Sequence, residues 1–120
     1  MVNVSIQGDE AVFEVEGIDK LWSLRSRLKI PLSHITHVEM NADQVGNWWH
    51  GFKLVGTDMP GLFAAGSFFY RGELVFWDVH DTANTIIVSL EHERFKKLII
   101  EVEQPEQTMT RLRTALPKIA

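Results

Sequence analysis

The sequence predicts a mainly β domain of about seven short antiparallel strands, capped by one C-terminal α-helix. Three observations carry this. Apolar and polar residues alternate with period two through much of the chain, the pattern of strands with one wet face. Glycine, proline, asparagine and aspartate break these runs every few residues, where turns need them. After Pro105 the apolar spacing changes to three and four, which is the helical period.

With 120 residues the chain predicts one domain, 1–120, large enough to build a core without staples. No cysteine is present, so disulfides, thiolate chemistry and cysteine-based zinc sites are excluded. A formal net charge of −4 argues against binding nucleic acid or anionic membrane through bulk charge. The opening residues MVNVSIQGDE lack the basic and apolar regions of a signal peptide. No apolar run approaches the ~20 residues that span a bilayer. A cytoplasmic location is the expectation.

Val2, Val4 and Ile6 alternate with polar residues, Gly8-Asp9 turns, and Ala11, Phe13 and Val15 alternate in the next run. Gly17 breaks the pattern, and Asp19 is placed to cap a short helix with Leu21, Trp22 and Leu24 on its apolar side. From Arg25 to Ile30 the basic residues Arg25, Arg27 and Lys29 fall on one face, and Pro31 ends the strand. A strand over Ile35 to Asn41 sets Thr36, Val38 and Met40 against His37 and Glu39. The stretch from Asn41 to Gly51 is irregular and holds the adjacent Trp48 and Trp49, which cannot both point inward from a strand. A short strand at Phe52 to Val55 and a turn around Pro60-Gly61 follow.

The densest strand signal lies between Gly56 and Val102. Ser67 to Tyr70 and the next run are joined by Arg71-Gly72, a tight hairpin turn. Leu74 and Phe76 share one face of that run, with Val75, Trp77 and Val79 on the other. Apolar residues on both faces predict a central strand, or an outer face partly covered. Asp78, His80 and Asp81 fall at a polar turn. Ile86, Val88 and Leu90 form a further strand, and Leu98, Ile100 and Val102 another. The helix is predicted over about 105–116, with Pro105 at its first position, Glu106 near its positive start, and Met109, Leu112 and Leu116 as its stripe. Covering an open end of the sheet is its expected role.

Three segments carry a family resemblance: IPLSHITHVEM, GTDMPGLFAAGSFFYRGELVFWDVHD and IIVSLEHERFKKLIIEVEQPEQTMTRLRTAL. Over about Arg25 to Leu116 the chain resembles the small bacterial proteins with a pleckstrin-homology-like (PH-like) domain. The resemblance implies a barrel of two near-orthogonal antiparallel sheets, closed at one end by the helix from Pro105. Phosphoinositide-binding PH domains carry a lysine and an arginine spaced around a glycine between their first two strands. Here that region reads EGIDKLWSLRSR, with Lys20, Arg25 and Arg27 at other spacings, so phosphoinositide binding is not carried over.

Two function classes stay open. One is a non-enzymatic interaction domain that binds a protein, or itself as a homo-oligomer, through strand edges and the aromatic residues Trp48, Trp49, Phe52 and Trp77. The alternative is a small-ligand or phosphate-binding module built on Arg25, Arg27 and Lys29. Against that second reading stands the ordinary role of such residues, a solvated face paired with acidic neighbours. An enzyme has no supporting constellation, since no serine sits in a G-x-S-x-G setting. His34 and His37 make half a metal site at most, with His50, Asp58, His80 and Asp81 as completions. Their H-x-x-H spacing falls across a turn and a strand, so neither a metal nor another cofactor is predicted.

Overall fold

The computed structural model describes residues 2–15, 27–41, 43–45, 65–70, 72–79 and 82–117, and of residues 65–70 and 82 the backbone only. Eight strands and one long helix are described. They are β1 (Val2–Gln7), β2 (Glu10–Val15), β3 (Arg27–Pro31), β4 (Ile35–Glu39), β5 (Ala65–Tyr70), β6 (Glu73–Asp78), β7 (Thr85–Leu90), β8 (Lys97–Glu101) and the helix α1 (Pro105–Ala115). The strands form a three-stranded sheet in the order β1-β2-β3 and a five-stranded sheet in the order β4-β7-β8-β6-β5. The expected helix near Asp19, the strand from Phe52 and the turn at Pro60-Gly61 lie outside the described residues.

Local chemistry accounts for the small sheet. Gln7 pairs with Glu10, so Gly8-Asp9 is a two-residue hairpin loop. Gly8 takes φ 61° there, a left-handed value that glycine reaches without a Cβ penalty. Val2 and Val4 of β1, Ala11, Phe13 and Val15 of β2, and Leu28 and Ile30 of β3 are all buried, as the alternation requires, and Val12 on the other face of β2 is buried as well. Leu32 donates its backbone N–H to the Asp9 carbonyl at 2.8 Å, which ties the end of β3 to the first hairpin.

The large sheet departs from a simple antiparallel meander. β5 pairs with β6, Tyr70 standing opposite Glu73, and Gly72 before Glu73 takes φ 81°. β7 pairs antiparallel with both β4 and β8. β8, however, runs parallel to β6. The expectation of antiparallel strands alone is therefore corrected by one parallel pair, which arises because β8 sits between β6 and β7. No closed barrel is formed among the described residues.

β4 differs from its sequence reading in one local respect. Ile35 opposes Leu90 while His37 opposes Ser89, so one extra residue bulges between them. The Thr36 hydroxyl donates to the Ser89 carbonyl at 3.2 Å across that irregularity. The bulge turns Ile35 and Val38 inward together and leaves Thr36 exposed. Thr36 and Val38 therefore do not share a face, as unbroken alternation had predicted.

One core joins both sheets and the helix. It includes Phe13 and Ile30 from the small sheet, Val38, Phe76, Val88 and Leu98 from the large one, and Leu112 from α1. Register explains its layering. Val38, Val88, Leu98 and Phe76 are successive cross-strand neighbours on the inner face of the large sheet. Phe95, in the β7–β8 turn, meets Phe76 edge-on at 5.7 Å between ring centroids, a favoured aromatic geometry. The opposite face carries a second apolar cluster of Val45, Val75, Trp77, Val79, Ile87 and Ile99. Across the strands, Ile87, Ile99 and Trp77 form one row of direct neighbours.

α1 begins as its sequence predicts, with Pro105 at the start and Glu106 in the first turn. Its last residue is Ala115, and the Leu116 N–H bonds the Leu112 carbonyl at 3.1 Å. Thr108 and Leu112 are its buried residues, while Met109, Ala115 and Leu116 pack against the core from its margin.

Candidate functional site

The two predicted surfaces meet different fates. Trp48, Trp49 and Phe52 lie outside the described residues. Trp77 does not belong to an exposed surface: it is fully buried at 0% relative exposure. Two features put it there. β6 is an interior strand of its sheet, flanked by β8 and β5. Its second face is covered as well, so both apolar faces of the LVFWDV segment are used in packing. The expectation that Trp77 faces outward is thereby corrected.

Of the predicted anion patch, Arg25 lies outside the described residues. Arg27 and Lys29 stand exposed on β3 and alternate with buried Leu28 and Ile30. Cross-strand register puts Glu14 directly opposite Arg27 and Val12 opposite Lys29. The Arg27 guanidinium is 4.0 Å from Glu14 Oε2, with both side chains about half exposed. In water two charges 4 Å apart interact by ~1 kcal/mol, so Glu14 offsets much of what Arg27 offers. Arg27 is thus paired on its own sheet face, while Lys29 stands exposed opposite buried Val12.

The histidines are separated by partner. His34 Nδ1 lies 2.6 Å from Glu93 Oε2 and its ring is 5.7 Å from that of His92. His37 Nε2 faces Glu39 Oε2 at 3.6 Å. His50, Asp58, His80 and Asp81 lie outside the described residues, and among those described no group of three or more His, Cys, Asp or Glu side chains is arranged to hold a metal ion. His92 holds φ 59°, which places a non-glycine residue in the left-handed region at the β7–β8 turn. Asp78, read as a turn residue, is the last residue of β6 and is buried.

The strand edges are the distinctive surface. Among the described residues, β1 and β3 border the small sheet, and β4 and β5 border the large one. Two of these edges are engaged by α1. Arg111 donates through a guanidinium nitrogen to the Val4 carbonyl of β1 at 2.9 Å. Arg113 donates through Nε to the Val38 carbonyl of β4, also at 2.9 Å. Helical geometry explains the pair. Successive residues are rotated by ~100°, so with Leu112 pointing into the core its two neighbours flank it on opposite sides. Each arginine then reaches the sheet edge on its own side.

The predicted stripe of Met109, Leu112 and Leu116 did not include this bridging role of Arg111 and Arg113. The available signal was the triplet Arg-Leu-Arg centred on the buried stripe. On the other two edges the residue types contrast. β3 carries Arg27, Lys29 and Pro31, residues that discourage pairing with another chain. β5 reads AGSFFY, with neither charge nor proline, and has no strand on its outer side among the described residues.

Beside α1 lie shallow open spaces. One of about 300 Å³ is lined by Val2 and Val4 of β1 together with Gln104, Thr108 and Arg111. A second, of about 360 Å³, lies between Met40, Asn84 and the start of the helix. Neither gathers a set of catalytic groups. No helix among the described residues is long and apolar enough to cross a membrane. Comparison with protein-family models, with curated proteins and with solved structures finds no match, so the edges and their chemistry are what describe this chain.

Proposed function

We propose that the protein is a non-enzymatic interaction domain of the PH-like type, cytoplasmic, which contacts a protein partner through the edge of β5, a second copy of itself being the first partner to consider. The observation that carries this is the distribution of protection among the four terminal strands. β1 and β4 are engaged by arginines and β3 carries charge and proline, while β5 offers an uncharged run rich in aromatic residues. An extended segment added to such an edge gains a ladder of main-chain hydrogen bonds, with side chains supplying specificity. Support for the PH-like type comes from two sheets sharing a core and a terminal helix at their edges. The parallel β6–β8 pair is its main departure from an antiparallel barrel. The alternative, an anion-binding module, is disfavoured by Glu14 beside Arg27.

Light scattering after size exclusion, over a range of concentrations, tests the self-association form. Adjacent strand residues point their N–H groups to opposite sides, so one of Ser67→Pro and Phe68→Pro removes an outer donor and spares the pairing with β6. That variant is expected to reduce a two-chain mass to one chain with its far-UV spectrum unchanged. A wild-type mass of one chain at every concentration overturns self-association, and undiminished association in both folded variants overturns the choice of β5.

A further inference from the structure

The groove between β1 and α1 holds hydrogen-bonding groups that the fold itself does not use. Gln104, Thr108 and Arg111 stand at positions i, i+4 and i+7, so from the N-cap onward they make one polar stripe along the helix. All three line the space of about 300 Å³ against Val2, Asn3 and Val4 of β1.

Thr108 is the telling member. It is buried at 6% relative exposure, in the same helix face as Leu112. Valine would fill that volume without a polar atom. The Thr108 hydroxyl bonds no described group, and a buried hydroxyl left without a partner is costly. Arg111 keeps donors in reserve. One guanidinium nitrogen donates to the Val4 carbonyl at 2.9 Å, and a guanidinium carries several further N–H groups. Val4 itself adds another donor. In an antiparallel strand a residue's N–H and C=O point to the same side. The Val4 N–H therefore faces α1, as its carbonyl does.

We infer that this groove binds a small free monocarboxylic acid, its carboxylate held by Arg111, the Thr108 hydroxyl and the Val4 N–H. A guanidinium beside two further donors matches the paired oxygens of a carboxylate. Glu103 limits the charge. It lines the same groove and forms no ion pair among the described residues, so it repels a phosphate or sulfate dianion more strongly than a single carboxylate. Volume limits the size, since about 300 Å³ lies at the lower end of the ~300–1,000 Å³ of ligand pockets. The site is independent of the β5 reading: ligand binding and chain mass hold or fail separately.

Glycolate is the probe. Titrated at constant ionic strength into isotopically labelled protein, it is expected to shift the amide NMR signals of Val4 and Thr108 saturably in the millimolar range. Glycerol presents hydroxyls without a carboxylate, and inorganic phosphate presents a different anion; neither is expected to saturate those signals. Thr108→Val keeps the branched shape and removes the hydroxyl. It is expected to leave the thermal midpoint equal or higher and to weaken glycolate binding by about tenfold or more. Absence of a saturable shift with glycolate overturns the proposal. So does undiminished binding in folded Thr108→Val, and so does equal binding of glycerol or phosphate at the same signals. If Thr108→Val does not fold, the three titrations of the unmutated protein decide alone.

Discussion

Replacing Trp77 by alanine tests whether the second face of the large sheet is a packed core. The indole is fully buried, with Ile99 beside it in register and Ile87 beyond. A buried tryptophan removes ~150–250 Å² from water, and at ~25 cal/mol/Å² that is about 4–6 kcal/mol as an upper bound. Truncations of buried aromatic residues to alanine cost about 3–5 kcal/mol, cavity included. Because β6, β8 and β7 are hydrogen-bonded together, the walls of the cavity have little freedom to close. A loss of about 4 kcal/mol follows, a large share of the ~5–15 kcal/mol that holds a domain of ordinary stability. Urea denaturation followed by far-UV circular dichroism measures it without relying on the lost indole. With a slope of ~2 kcal/mol/M the midpoint falls by about 2 M. A loss below about 1 kcal/mol at unchanged slope refutes the burial argument. Intact stability with lost partner binding would return Trp77 to the surface role first predicted for it.

Two further predictions concern loops. Gly72→Ala is expected to lower stability by about 1 kcal/mol, since the added Cβ meets nothing within 4 Å and only the positive φ opposes it. A neutral or stabilising result in thermal unfolding rejects that explanation. His34 and Glu93 join the β3–β4 connection to the β7–β8 turn through a 2.6 Å contact between partly buried side chains. A double-mutant cycle with His34→Ala and Glu93→Ala is expected to give a coupling of about 1 kcal/mol. Strict additivity shows that the contact contributes nothing.

Much of the architecture was written in short-range pattern. β1, β2 and β3 follow the period-two runs apart from buried Val12, and tight connections fall at Gly8-Asp9 and between Tyr70 and Glu73. α1 starts at Pro105 because proline, Glu106 and the 3–4 stripe all specify the same residue. Partner choice was not legible. Nothing in the alternation of LIIEV says that it enters between β6 and β7, because a strand's periodicity reports its faces and not its neighbours. The bulge at Thr36 was hidden for a related reason, since one inserted residue changes faces while leaving composition untouched. Apolar residues on both faces of β6 did signal an interior strand, yet the same residues also fitted an exposed patch. Burial on the second face depends on Val45, distant in sequence, which no local rule connects to Trp77. The edge bonds of Arg111 and Arg113 likewise depend on where β1 and β4 lie, far from the helix along the chain.

The parallel pairing of β8 with β6 also sets a schedule for synthesis. β8 is the last strand made, yet it lies between two strands made before it. At ~5–20 residues per second, a ribosome takes about 1–4 s to travel from the end of β6 to the start of β8. Throughout that interval one side of β6 has no permanent partner, and the exposed segment is LVFWDV. Such a strand is prone to pair with whatever nascent chain lies nearby. Arrival of Lys97–Glu101 ends the hazard in one step, by filling the gap from both sides. The unpaired side of β6 is therefore covered only when the β7–β8 hairpin has followed it out of the ribosome.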